Sequence, residues 1–379
     1  MEKSWEYNLD IHHIFIDFKQ AYDSILRGQL WKILTNFGIP RKLVTLVKMC
    51  MEGSHNIIKI DGQLSEPFTV LNGLRQGDAL SPVLFNFALE WVMRKIQEIP
   101  RIFTARGMKL ILAYADDIDI ISDNLGEATR TYMRLEEEAK KIGLTINEQK
   151  TKYMHMKRYS ILRTPSNLSI GNASLQKTHE FKYLGTLITD DNVTRYEIQE
   201  RIQNSWKCIY GLKQLLKSNA LRRGEKIKIY KTIIQPITMY GSETWTLTKY
   251  DEESLRRFER KVLRLIYGPV RNEEGGGYRI RTNRELQELY QQADMVQLIK
   301  ANRLGWAGHM LRAETNRTIG RVWKATPTTK RPLGRPRMRW RDNIQKDLRA
   351  LGVEDLETSA QDRGRWGQIV REAKIHTGL

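Results

Sequence analysis

Three aspartates stand where apolar strand signals end: Asp17 in the run HHIFIDF, and the adjacent Asp116 and Asp117 within LILAYADDIDII. A carboxylate flanked by Ile and Phe is costly to bury unless it is paired or binds a metal. One such acid is as readily a salt-bridge partner. Three of them, one following a strand and two on a hairpin turn, favour a hard, oxygen-lined cation site. Two Mg²⁺ ions held by such carboxylates can activate a 3′-hydroxyl and stabilise a leaving pyrophosphate in an in-line phosphoryl transfer.

The elements that must position these acids are legible around them. His12 to Phe18 is a short strand signal, and Ala21 to Leu34 places Ile25, Leu26, Leu30, Ile33 and Leu34 at helical spacing. Ile57 to Ile60 and Pro67 to Leu71 predict a hairpin, joined by a segment that opens with Asp61 and Gly62. Ser81 as N-cap and Pro82 at the first helical position open an apolar helix to about Ile96. Leu110 to Ile121 predicts a second hairpin with Asp116 and Asp117 at its turn. Ala128, Tyr132, Leu135, Ala139 and Ile142 then mark one face of an amphipathic helix, with Gly143 as its C-cap. Strands and helices mix up to about residue 190, which gives an α+β domain. From about Thr194 the pattern is helical, through Ile202, Trp206, Ile209, Leu212 and Leu216, and again over Ile227 to Tyr240 and Leu255 to Tyr267. Gly275 to Gly277 mark a hinge into a last region.

A chain of 379 residues is long enough for two or three domains. Its 40% apolar and 28% charged composition is that of a soluble globular protein. The longest apolar stretch, near Val83 to Met93, contains Asn86 and Glu90, too short and too polar to cross a bilayer, so no membrane partner is expected. The start MEKSWEYNLD has neither a basic nor an apolar leader region, which points to an intracellular protein. Cys50 and Cys208 lack the close Cys or His neighbours of a zinc site and read as plain buried thiols. The net charge of +19 is unevenly placed: residues 1–200 hold 26 Lys and Arg against 25 Asp and Glu, and residues 201–379 hold 37 against 19. An excess confined to one half is the footprint of a polyanionic partner.

FIDFKQAYDS at Phe15 to Ser24, LRQGDALSPVLFN at Leu74 to Asn86, AYADDIDI at Ala113 to Ile120, GLTINEQKTKYM at Gly143 to Met154 and FKYLG at Phe181 to Gly185 follow one another in that order. Together they resemble the consecutive palm motifs of reverse transcriptases, in particular those of non-LTR, LINE-type retrotransposons. The likeness continues less sharply through the helical region and into RLGWAGHMLR and GRPRMRWRDNIQKDL near the end. It implies an RNA-directed DNA polymerase acting with two Mg²⁺ on an RNA template, a DNA primer and deoxynucleoside triphosphates, and residence in the nucleus.

Carried over by position, the resemblance makes Asp17, Asp116 and Asp117 the catalytic carboxylates and metal ligands. Tyr22 takes the place of the aromatic beneath the incoming sugar, where it would exclude a 2′-hydroxyl; the plainer reading is a tyrosine of the core. Arg75, Gln76 and Gly77 match the loop beside the nascent base pair, or else form an ordinary turn before a helix. Lys150 matches the lysine that meets pyrophosphate, with Lys152 close enough to compete. Phe181, Lys182, Tyr183, Leu184 and Gly185 match the primer grip. Asp119 and Asp123 receive no role and read as solvated, and His309 reads as a helix-packing residue rather than a metal ligand.

The resulting expectation is an α+β polymerase palm with an antiparallel sheet over residues 1–190, a helical thumb over 191–272 and a basic helical tail over 273–379. From Arg321 to Ala350 the tail carries ten Lys or Arg against two Asp, interleaved with Trp323 and Trp340, a pattern suited to nucleic acid. Lys330, Arg331, Arg335, Arg337, Arg339 and Arg341 are its candidate contacts. Reverse transcriptases carry fingers ahead of the first aspartate motif, and with Asp17 so near the first residue the fingers are expected to be missing. A catalytically silent, truncated nucleic-acid-binding remnant therefore stands as the alternative.

Overall fold

The computed structural model describes residues 1–53, 55–96, 101–104, 107–158, 167–272, 276–334 and 337–375. The first region runs α1 (Glu2–Glu6), β1 (Ile11–Ile16), α2 (Ala21–Ser24), α3 (Arg27–Asn36), α4 (Arg41–Met51), β2 (His55–Asn56), β3 (Lys59–Ile60), β4 (Gln63–Leu64), β5 (Phe68–Thr69) and α5 (Ser81–Ile96). It continues through β6 (Arg101–Thr104), β7 (Gly107–Tyr114), β8 (Asp117–Ser122), α6 (Leu125–Lys140), β9 (Lys152–Met156), β10 (Asn167–Ile170), β11 (Ala173–Lys177), β12 (Glu180–Tyr183) and β13 (Thr186–Thr189). Among the described residues seven strands form one sheet in the order β10-β11-β9-β1-β8-β7-β6. Its pairings are antiparallel except between β11 and β9, because the β10–β11 hairpin presents its second strand to the sheet.

Side chains alternate across β1 and β8. Ile14, Ile16, Ile118 and Ile120 share a core with Leu84, Phe85, Ala88 and Val92 of α5 and with Tyr132 and Leu135 of α6. Each fully buried Ile, Leu, Val or Phe among them contributes about 1.5–3 kcal/mol. On the other face Ile11, Ile121, Leu110 and Met156 pack with Trp5 of α1. Cover on both faces explains why β1 reads as a near-continuous apolar run rather than as an alternation.

The helix expected over Ala21 to Leu34 is interrupted at Ile25 and Leu26, whose backbones are extended. Their polar groups are used elsewhere: Leu26 N–H donates to Ile142 O (3.0 Å) and Gly73 N–H donates to Ile25 O (2.8 Å). Gly143, at φ +93°, lies so close to this break that a Cβ would collide with the Ser24 carbonyl oxygen, so only glycine fits. The expected hairpin is two nested pairs. Lys59–Ile60 joins Gln63–Leu64, and His55–Asn56 joins Phe68–Thr69. Asp61 and Gly62, both at positive φ, close the inner pair at once, as a two-residue loop does. Helix α5 begins at Ser81 itself, and the Ser81 hydroxyl donates to Arg75 O (2.6 Å) instead of capping. The cysteines are not buried as expected: Cys50 faces outward from α4 and Cys208 is half-buried.

The helical region comprises α7 (Thr194–Lys217), α8 (Arg223–Ile229), a π-helical turn at Tyr230–Ile234, α9 (Gln235–Met239), a 3₁₀ turn at Ser242–Thr244 and α10 (Lys249–Tyr267). Pro236 has no N–H to continue an α-helical ladder, and Gln235 N–H reaches back five residues to Tyr230 O, which is the π geometry. Then come β14 (Val270–Arg271), β15 (Tyr278–Arg279), α11 (Asn283–Tyr290), α12 (Met295–Arg312), α13 (Thr318–Lys324), α14 (Trp340–Ala350), α15 (Leu356–Gln361) and α16 (Arg363–Ile375). Gly276 and Gly277 lie between β14 and β15, where Asn272 N–H donates to Gly277 O (2.8 Å); Gly275 lies outside the described residues.

Helix α12 joins two cores. Met295, Val296 and Ile299 complete the core of α7 to α11, whereas Leu304 and Ala307 pack with Ile344, Leu348 and Trp366. Between them Arg303, fully buried, donates to Trp245 O (3.2 Å) and pairs with Asp347. Among the described residues no helix is long and apolar enough to cross a membrane.

Candidate active site

Asp17 follows β1 directly, Asp116 sits in the turn between β7 and β8, and Asp117 opens β8. Since β1 pairs with β8 through Ile16 and Ile118, the end of β1 and the start of β8 lie side by side and the three carboxylates meet at one end of the sheet. The electrostatics record the meeting: burial, then Asp116, then Asp17 raise the Asp117 carboxyl above its ordinary range. Asp17 Oδ2 is buried without a hydrogen-bond partner, and the Lys150 ammonium stands 3.9 Å from it. An orphaned buried oxygen and a carboxyl crowded by two others are what a bound cation would relieve. Among the described residues no three acids, histidines or cysteines close around a single point as a finished metal cage does. The donor set is all oxygen, which suits Mg²⁺ bound partly through substrate phosphates and water.

Lys152, the competitor of Lys150, is engaged with Gln149 O (2.8 Å) and Gln176 Oε1 (2.7 Å), so the lysine facing the acids is Lys150. Tyr22 projects from α2 and stacks on Phe85 at 4.7 Å between ring centres. Burial, then the nearby Asp116, push its phenol above the ordinary range. The ring thus packs on the core and borders the acids at once. Leu74 N–H donates to Tyr22 O (2.8 Å), which ties the loop of Arg75, Gln76 and Gly77 to the same edge. All three are exposed, and Gly77 has φ +88° with open space where a Cβ would stand.

The Phe181–Gly185 hairpin lies against the acid-bearing face. Phe181 stacks on Phe15 at 4.1 Å, and the Tyr183 hydroxyl reaches Leu112 O at 3.5 Å. Burial, then Asp119 and Asp117, push the Tyr183 phenol up to about 12. Lys182 points away, into an ion pair with Glu200 (2.6 Å).

Asp119 is not solvated but 2% exposed, bound to the equally buried His13 at 3.0 Å. The partner comes from the neighbouring strand, where Phe15 opposes Asp119 and His13 is its diagonal neighbour. Asp123 is half-buried and accepts from Met108 N–H (2.8 Å). The one trace of the buried pair in the sequence is that His13, Phe15 and Asp17 share a strand face.

Four of the candidate tail cations have partners within the chain, although Arg331, Arg337 and Arg341 remain exposed. Arg331 and Arg339 pair with Glu6 of α1 (3.0 and 3.2 Å), Arg337 lies over the Trp5 ring (4.9 Å), and Arg341 reaches Glu357 (3.3 Å). Lys3 donates to three carbonyls, Val322 O and Trp323 O at 2.8 Å and Ala325 O at 2.5 Å, at the end of α13. Lys330 is exposed, and Arg335 lies outside the described residues. His309 is exposed and stacks on Trp306 at 5.2 Å.

A sheet that brings acids from two adjacent strands to one end, backed by helices and faced by a hairpin and a helical arm, is an α+β polymerase fold. Residues 2–188 belong to the reverse transcriptase (RNA-dependent DNA polymerase) family, and the chain is similar to polymerases of non-LTR retrotransposons. It is similar to a transposon-derived protein of Caenorhabditis elegans, 28% identical over 69% of this chain and 94% of that one. A Pol polyprotein from the type-1 retrotransposable element R2 of Popillia japonica is 24% identical over 67% of this chain and 42% of that one. An RNA-directed DNA polymerase from the mobile element jockey of Drosophila funebris is 28% identical over 67% and 28%. The chain thus spans less than half the length of the last two.

Proposed function

We propose that this chain adds deoxynucleotides to a DNA primer 3′-hydroxyl on an RNA template. The observation that supports this most is the convergence of Asp17, Asp116 and Asp117, with Asp117 held above its ordinary range by burial and then by its two neighbours. Two Mg²⁺ ions, when bound, would supply Lewis-acid activation of the primer hydroxyl and charge neutralisation at the leaving pyrophosphate. Asp17, Asp116 and Asp117 would hold them. Lys150, already drawn toward Asp17, would meet the pyrophosphate. Tyr22, stacked on Phe85 beside Asp116, would present a flat wall to the sugar and exclude a 2′-hydroxyl. Arg75, Gln76 and Gly77 would border the nascent pair, and the Phe181–Gly185 hairpin would hold the primer end. Nuclear residence would follow from integration chemistry.

The test is extension of a DNA primer on an RNA template by the full chain with Mg²⁺. Extension should need the template and all four deoxynucleotides. Asp117→Asn should reduce it by at least about a thousandfold, because several kcal/mol of charge stabilisation are lost, with affinity for the primer–template nearly unchanged. Binding without any extension by the parent chain would favour a silent nucleic-acid-binding remnant.

A further inference from the structure

The turn between β12 and β13 is held from outside. Leu184 and Gly185 both have positive φ, 48° and 77°, as a two-residue hairpin turn of this hand requires. For Leu184, which carries a Cβ, the left-handed conformation is unfavourable. The carbonyls of both residues are taken by the helical arm. Tyr240, at the end of α9, donates its hydroxyl to Leu184 O (3.0 Å), and the Arg201 guanidinium of α7 donates to Gly185 O. Glu197, 3% exposed, accepts from Arg201 Nε (2.6 Å) and from Leu187 N–H (2.7 Å), so it fixes the arginine and the strand after the turn together. The guanidinium also lies over the Tyr240 ring at 4.7 Å. The other side of the hairpin rests on the acid-bearing face through Phe181 on Phe15.

We infer that Glu197, Arg201 and Tyr240 are positioning residues that transmit the placement of the helical arm to the Leu184–Gly185 turn and so set where the primer terminus stands relative to Asp17, Asp116 and Asp117. The inference rests on the reading of Phe181 to Gly185 as the primer grip. Its physical content is rigidity. A two-residue turn with unused carbonyls could swing about its strands, whereas here each carbonyl is held by a donor, and the arginine is pinned by a buried carboxylate. Misplacing a reacting group by about 1 Å can cost on the order of a hundredfold in rate.

The experiment uses the full chain with an RNA template and a DNA primer whose 3′-terminal base is 2-aminopurine. Its fluorescence reports the mobility of the primer end, alongside primer–template affinity, melting temperature, and kcat and KM for the next deoxynucleotide. Tyr240→Phe keeps the ring under Arg201 and removes the donor to Leu184. Arg201→Met removes the donor to Gly185, and Arg201→Lys restores the charge without the fork. The expected result is brighter terminal fluorescence in Tyr240→Phe and Arg201→Met. Their kcat should be lower by about ten- to a hundredfold, with affinity and KM within about twofold of the parent and partial recovery in Arg201→Lys. A merely structural role would lower melting temperature and affinity together and leave the terminal base of the bound primer as in the parent, which would overturn the inference. If the parent extends no primer, the proposed polymerase function fails on its own. The fluorescence comparison then still decides: an equally ordered terminus in parent and variants overturns the positioning role.

Discussion

The palm and the C-terminal tail treat charge in opposite ways. At the end of the sheet three carboxylates crowd together, Asp17 Oδ2 is buried without a hydrogen-bond partner, and Lys150 stays 3.9 Å away. In the tail Arg331 and Arg339 close on Glu6 within 3.2 Å, Arg339 also grips Asp342, and Arg303 is buried against Asp347. Like charges left unrelieved lower stability and wait for an external counterion; opposite charges brought into contact hold one part of a chain to another. Sequence charge alone does not separate a surface for ligands from a fastening, because the partner of each charge decides.

Glu259, buried in the helical arm, tests the comparison from a third side, since it has hydrogen-bond donors rather than a crowd of acids. It accepts from the Tyr230 hydroxyl (2.7 Å) and from Met295 N–H (2.8 Å), yet burial, reinforced by Asp294, pushes its carboxyl up to about 7. A folded value raised above the ordinary one gives stability that is complete below about 4.5 and is lost as pH rises through about 7. Urea unfolding should therefore show a loss of up to roughly 3 kcal/mol between pH 5 and pH 8, and Glu259→Gln should flatten that slope. The same slope in the variant would show that another group titrates.

The strap of the tail on α1 should break next. Glu6→Ala leaves Arg331 and Arg339 without their shared carboxylate and should lower stability in denaturant titration by about 1–2 kcal/mol. No change would mean that these pairs are solvated in solution. The smallest effect sharpens the tail itself. Lys330→Gln should shallow the log–log salt dependence of single-stranded RNA binding by up to about 0.7, and Arg331→Gln, whose cation already lies on Glu6, should shallow it less. Equal shifts would place Arg331 on the nucleic acid instead.

Much of this was readable in the residues, for reasons of range. The β7–β8 hairpin with its acids at the turn, α5 from Ser81 to Ile96 and the stripe of α6 rest on local periodicity, and the structure has all three. What escaped depends on pairing across long separations. Asp119 reads as a solvated acid until His13 is brought beside it from a strand 106 residues earlier. The tail reads as a free basic arm until residues more than 300 positions apart meet, as Glu6 and Arg339 do. The break at Ile25 and Leu26 is invisible to helical spacing because it is imposed by Ile142 and Gly73. Motif order named Tyr22, Lys150 and the Phe181–Gly185 hairpin as candidates, but which lysine faces the acids required the contacts of Lys150 and Lys152.

The most direct test of the contrast is the melting temperature of the parent chain and of Asp117→Asn, each with and without Mg²⁺ and at constant ionic strength. Because Asp117 is held above its ordinary range by burial, Asp116 and Asp17, its ionised form opposes folding at neutral pH. The expectation is that Asp117→Asn melts higher than the parent without Mg²⁺, that Mg²⁺ raises the melting temperature of the parent, and that this rise is lost in the variant. A variant that melts lower than the parent without the ion, or that gains as much from Mg²⁺ as the parent does, would contradict it.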